Sequence, residues 1–164
     1  MPTTRRKSWR EKLVDNKGLP KTGRITGKMS KRWGSGTMVV PAPLEVDAIM
    51  RRVPKGKLIT INEIRAALAK QHGVDVCCPI TTGIFAWIAA NAAAEAAADR
   101  SVKANSRAKS NPYWRTLKSG GELNPKYPGG IANLRKLLAA EGHKVIPKGK
   151  RFFVADFKAR LATV

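Results

Sequence analysis

LITINEIRAALAKQHGVDVCCPITTGIFAWIAA, residues 58–90, is the stretch on which the fold turns. Leu58 to Ile61 reads as a short extended segment. Thr60-Ile61-Asn62-Glu63 then has the spacing of a capping box, in which Thr60 accepts from the backbone and Glu63 reaches back. This predicts a helix over 61–72, stopped by Gly73. After a loop at 74–79, Thr81 or Thr82 can cap a second helix through Ile84, Phe85 and Ile88 and a run of alanines to about residue 98. Two helices joined by a short turn form a helix-turn-helix arrangement, whose second member enters the DNA major groove. The small, uncharged face of Gly83, Ala86, Ala89 and Ala90 would let a backbone approach closely. Without a function, the same pair reads as an ordinary helical core.

Outward from the pair, Leu44, Val46, Ile49, Met50 and Val53 share one helical face, and the PKGK turn at 54–57 ends it. MVVPAP at 38–43 is an extended lead-in, so the folded domain is set at 37–164. Residues 1–36 carry eleven Lys/Arg against two acids with few aliphatics, which predicts a flexible basic arm with Trp9 and Trp33 as local anchors. Downstream, 100–110 holds four Lys/Arg and no acid and reads as a basic loop. NPYWRTLKSGG follows at 111–121. Gly129-Gly130 precedes a helix with Ile131, Leu134, Leu137 and Leu138 on one face, ended by Gly142. Residues 143–147 and 151–157 alternate around Lys148-Gly149-Lys150, a β-hairpin with a basic tip.

The chain has 164 residues with 32 Lys+Arg against 11 Asp+Glu, a formal net charge of +21. Such an imbalance points to a polyanion, with nucleic acid ahead of an anionic membrane because neutralised phosphates release condensed counterions. No apolar stretch follows the charges of MPTTRRKSWREK, and the longest uncharged run, 76–94, falls short of the ~20 apolar residues of a membrane span. The expectation is a soluble, cytoplasmic protein with no membrane association. Cys77 and Cys78 are adjacent and give no disulfide framework. They read as small buried hydrophobes, or as nucleophiles if a base lay close. His72 and His143 sit at helix ends, where imidazoles cap carbonyls. The sequence holds neither a metal-ligand spacing nor a P-loop, so no metal and no cofactor are expected.

Only ten residues are aromatic, and Tyr113-Trp114 places two of them between Pro112 and Arg115. Their planes can stack on unpaired bases at ~1–3 kcal/mol per base, or one of them can fill a core corner. The order of segments adds to this. VPKGKLITINEI, a capped alanine-rich helix, NPYWRTLKSGG and then YPGGIANLRKLLAAEGH resemble the DNA-binding, alkyl-acceptor domain of the methylguanine-DNA methyltransferase family over about 44–144. In that family a Pro-Cys-His-Arg stretch carries the acceptor cysteine and the histidine that activates it, with a distant glutamate. Here Pro112 and Arg115 match, Tyr113 stands at the cysteine, Trp114 at the histidine, and Glu141 at a glutamate whose partners are gone. A tyrosine with pKa ~10 and no adjacent base is a poor nucleophile.

The resemblance is therefore nearest to the alkyltransferase-like proteins, which lack the acceptor cysteine, bind alkylated guanine and hand the lesion to nucleotide-excision repair. It implies an α+β, winged-helix-like domain and a monomer that binds duplex DNA without enzymatic activity. Thr81, Thr82, Gly83, Ala86, Asn91 and Arg115 would face DNA, and Tyr113, Trp114, Tyr127, Gly129, Gly130 and Glu141 would form a base pocket. The family's nucleotide-flipping tyrosine and arginine fall on Ile61 and Thr82. Two alternatives stand beside this reading: a general DNA- or RNA-binding protein without lesion recognition, and a methyl transferase using Cys77 or Cys78.

Overall fold

Thr60 Oγ1 accepts from the Asn62 N–H (3.2 Å), and the Glu63 carboxylate accepts from the Thr60 N–H (2.9 Å) and touches the Thr60 hydroxyl, so the capping box is made. The structure, a computed structural model, describes residues 5–34, 36–99 and 110–164. In chain order its main elements are α1 (Trp9–Val14), β1 (Lys21–Arg24), α2 (Lys28–Trp33), β2 (Thr37–Val40), α3 (Pro43–Arg51), β3 (Ile59–Thr60) and α4 (Ile61–His72). They continue with β4 (Val76–Cys77), α5 (Pro79–Ala98), β5 (Thr116–Leu117), α6 (Gly130–Ala140), β6 (Val145–Lys148) and β7 (Arg151–Val154). The fold is α+β, with small sheets and a terminal hairpin. No helix among the described residues is long and apolar enough to cross a membrane.

Helix α4 ends where Gly73 takes the left-handed conformation (φ 63°) and its N–H returns to Ala69 and Lys70. Helix α5 starts at least three residues earlier than its threonines suggested. Cys78 is the N-cap and Pro79 is the first helical residue, where the missing N–H costs nothing. Thr82 sits inside the first turn and donates its hydroxyl back to Cys78 O (2.6 Å). The alanine face of α5 packs against α3 in one core with Val46, Ile49, Met50 and Ile64. The extended lead-in is β2, which pairs in parallel with β4 (Met38 with Val76, Val39 with Cys77) and antiparallel with β1. Strand β5 runs parallel to β3, Ile59 beside Thr116 and Thr60 beside Leu117, and the turn that precedes it packs against α3, α5 and α6. The hairpin pairs Val145 with Val154 through Lys148 with Arg151.

The segment read as a disordered basic arm is folded over 5–34. Ser8 and Glu11 cap α1 reciprocally, and Leu13 is buried in the core. The carboxylate of Glu95, near the end of α5, accepts from the backbone N–H groups of Trp9 (3.0 Å) and Arg10 (3.3 Å). Arg10 also pairs with Glu95 and Asp99. Trp9 meets Trp87 edge-on at 4.8 Å, with Lys12 over its ring at 4.3 Å. The charge that suggested a solvated tail is here neutralised in part by acids from both segments, while Trp9 and Leu13 supply the apolar contact. Of the basic loop read at 100–110, all but Ser110 lies outside the described residues.

Candidate nucleic-acid interface

Tyr113-Trp114-Arg115 forms one 3₁₀ turn after Pro112. It is fixed from both sides. Buried Asn111 donates to Asp47 Oδ1 (2.9 Å) on α3, and Asp47 also accepts from Arg51 Nε (2.6 Å). Tyr113 is buried edge-on to Trp114 (5.5 Å) and Tyr127 (6.3 Å), and its hydroxyl accepts from Asn133 Nδ2 (3.2 Å). Asn133 also donates to Pro128 O (3.0 Å), which ties the YPGG turn to the same cluster.

Arg115 is committed internally. Its Nε donates to both oxygens of Glu141 (2.9 and 3.1 Å), Nη2 to Oε2 (2.9 Å) and Nη1 to Val53 O (2.8 Å). The two side chains are only 14% and 6% exposed. Glu141 further accepts from Trp114 Nε1 (2.7 Å) and the Gly56 N–H (3.1 Å). Burial alone would raise its carboxyl pKa, but the bonds from Arg115, Gly56 and Trp114 outweigh that and hold it below the usual range. His143 is buried nearby. Loss of hydration pushes its imidazole pKa down, with Arg160 and Arg115 acting the same way and Glu141 opposing them.

These contacts correct three readings. Arg115 is not presented to a phosphate or a base. Glu141 has not lost its partners, because the Trp114 indole N–H and the Arg115 guanidinium occupy its carboxylate. Tyr113, Trp114, Tyr127 and Glu141 do come together, but as a packed cluster and not as the walls of an open pocket.

The open space lies beside that cluster. A cleft of about 660 Å³ runs between the first turns of α4 and α5 and residues 118–127. Ile61, Asn62 and Arg65 line it from α4, and Ile80, Gly83, Ile84 and Trp87 from α5. Lys118, Asn124, Lys126 and Tyr127 close the far side. Trp87 Nε1 donates to Lys126 O (3.2 Å), bridging the two walls. Arg65 Nε donates to Cys77 O (2.9 Å). Ile80 and Ile84 are 54% and 46% exposed, an unusual state for β-branched aliphatics on two successive turns of a helix.

Among the residues expected to meet DNA, Gly83 lines the cleft. Thr82 and Ala86 are fully buried and hold α5 against the core, so neither is available to a ligand. Thr81 is half-buried and does not line the cleft. Asn91 Nδ2 returns to Trp87 O (2.9 Å) within its own helix. Gly129 and Gly130 form the left-handed turn into α6 (φ 78° and 67°), and a Cβ on Gly129 would fall 2.5 Å from the Asn133 side chain. Ile61, Ile80, Ile84, Trp87, Lys118 and Lys126 were not singled out as contacts. The spacing of Ile80, Ile84 and Trp87 at i, i+4 and i+7 carried the signal: a second apolar stripe on a helix whose alanine stripe already faces the core.

Tyr127 lies against the cleft, and burial raises its phenol pKa far above the ordinary value, so it stays protonated. Burial likewise pushes the Cys77 thiol up, its Sγ lies 3.3 Å from Thr82 Oγ1, and neither cysteine lines the cleft. No group of three or more His, Cys, Asp or Glu among the described residues could hold a metal ion.

No protein-family model matches the chain, and no curated protein does. Among solved structures, the chain is similar to S. pombe Atl1 in its crystal structure with damaged DNA containing O6-carboxymethylguanine. Identity is 15%, the match covers 74% of this chain and 94% of that one, and the TM-score is 0.48.

Proposed function

We propose that this chain is a non-enzymatic DNA-binding protein of the alkyltransferase-like type. It seats a duplex on the α4–α5 pair and takes an extruded alkylated guanine into the neighbouring cleft. The observation that carries this reading is the cleft itself: Ile61, Ile84 and Trp87 form an apolar wall, rimmed by Arg65, Lys118 and Lys126, beside a helix pair in a chain of net charge +21. Alkylation at O6 removes the N1–H donor of guanine and adds an apolar group. An apolar wall therefore favours the lesion over the plain base, and an aromatic plane adds ~1–3 kcal/mol by stacking.

Among the described residues, neither Cys77 nor Cys78, the candidate nucleophiles, lines the cleft. The Tyr113 hydroxyl is held by Asn133, Tyr127 stays a protonated phenol, and the Cys77 thiol is buried outside the cleft. Ile61, at the position of the family's tyrosine, lines the cleft, whereas Thr82, at that of its arginine, is buried. Exposed Ile80 and Ile84 act in their place as apolar wedges between base steps. The bound lesion then marks the site for excision-repair proteins.

Fluorescence anisotropy on duplexes with and without one O6-methylguanine tests the reading. Tighter binding of the lesion duplex is expected. Equal affinities would remove lesion recognition and leave the second reading, a general duplex-binding protein, which the net charge by itself favours.

A further inference from the structure

Strand β1, Lys21-Thr22-Gly23-Arg24, is exposed at all four positions. A strand on a core sends alternate side chains inward. This one sends none. It is held by its pairing with β2 and by buried Ile25 immediately after it, so its own side chains are not what keep it in place. Its outer edge has no strand neighbour among the described residues, the sheet order being β1-β2-β4.

The charges of the segment divide into two groups. Towards α1, Arg5 pairs with Glu11, Lys7 with Asp15, and Arg10 with Glu95 and Asp99. Lys21 and Arg24 on β1, and Lys28 and Lys31 on α2, are exposed and have no salt-bridge partner among the described residues. The acid at that end of the sheet, Asp75, is occupied by the N–H (2.9 Å) and hydroxyl (3.0 Å) of Thr37. The first half of the segment anchors it, and the second half presents unneutralised cations.

The place of β1 in the sheet gives this charge a direction. It lies two strand positions, about 10 Å, from β4, and β4 leads directly into Pro79 and Ile80 at the mouth of the cleft. We propose that the outer edge of β1, with Lys28 and Lys31 of α2, is a second docking surface that holds the phosphodiester backbone of the duplex flanking the cleft. Lys21 and Arg24 leave the strand on opposite faces, so a backbone running along the edge meets one from each side. The outward N–H groups of an unpaired edge add neutral donors to the same row of phosphates. No large exposed apolar side chain lies on β1 or on 25–28.

This inference rests on the duplex-binding reading, and its test keeps the two separable. Full-length protein is titrated with a duplex that spans only the cleft and with one a helical turn longer, about 10 bp, from about 50 to 200 mM salt. Wild type is compared with Lys21→Glu/Arg24→Glu and with Lys136→Glu/Lys144→Glu, which removes equal charge from exposed positions on or after α6. For wild type and the α6 variant, the longer duplex is expected to bind more tightly. The β1 variant should lose that gain, and its slope of log K against log salt should be shallower by about two, since each phosphate contact contributes about 0.9. A β1 variant with the wild-type slope and length dependence overturns the proposal, as does an equal loss in the α6 variant, which would make the effect one of net charge. If a polyglutamate peptide binds wild type but not the β1 variant while duplex binding is unchanged, the surface serves an acidic protein partner and the proposal fails. Wild type that binds neither duplex removes the proposed function as well. Wild type whose duplex binding needs Ile84 but not Lys21 and Arg24 removes only this inference.

Discussion

Glu141 accepts from Trp114, Arg115 and the Gly56 backbone at once, and so ties three parts of the chain together. Replacing it with alanine leaves the Arg115 guanidinium buried without its counter-charge. Glu141→Ala should lose about 3–5 kcal/mol in chemical denaturation, and Glu141→Gln less, because an amide oxygen still accepts. Acid should weaken the same region in two steps. His143 has a lowered folded pKa, so its contribution is complete above its unfolded value of about 6.5 and is lost as pH falls through the folded value. Glu141 is also lowered, so its contribution is complete above the ordinary carboxylate range and is lost only at more acid pH. Melting temperature should therefore begin to fall just below pH 6.5, and His143→Phe should remove that first decline while leaving the later one. The sequence drew attention to Tyr113 and Trp114 as an aromatic pair between Pro112 and Arg115. It could not show that the indole N–H would donate to Glu141, because that bond depends on a 3₁₀ turn whose direction no residue pattern specifies.

Helix α5 shows where periodicity succeeds and where it stops. Its alanine stripe was read as a face for a DNA backbone, and the structure buries Ala86, Ala89 and Ala90 in the core instead; α4, its Gly73 stop and the terminal hairpin were legible because each rests on one local signal. The stripe of Ile80, Ile84 and Trp87 was present in the same letters, but an exposed face and a core face look alike until neighbours are known. Helix α1 carries a local signal, the Ser8–Glu11 capping box, that was passed over in a segment read as an arm. Its six residues look like a charged tail, and beyond that cap it is held by a carboxylate and an indole on α5. Trp9→Leu keeps an apolar side chain but removes the edge-on pair with Trp87, and should lower stability by about 0.5–1.5 kcal/mol. Hydrogen exchange should show the loss of protection at 9–14 and at the Trp87 wall of the cleft, with the α4 amides unchanged.

At the scale of the molecule, binding and folding draw on different faces of the same helices. Ile84 is exposed and contributes little to the core, so Ile84→Asp should leave the melting temperature within the range of a neutral surface change, about 0.5 kcal/mol. The same substitution places a carboxylate in the cleft where the proposed duplex lies, and affinity measured by anisotropy should fall at least about tenfold, or about 1.4 kcal/mol. A parallel fall in stability would instead assign Ile84 to the core.

The docking of α1 also has a temporal side. The Trp9 N–H and the Glu95 carboxylate that receives it are 86 positions apart, and an isolated helix of six residues is too short to persist in water. During synthesis, residues 9–14 leave the ribosome before the last turns of α5 and cannot dock until those turns have followed. This segment is thus made before its partners on α5 and folds late, and in that interval its lysines and arginines are open to any polyanion within reach.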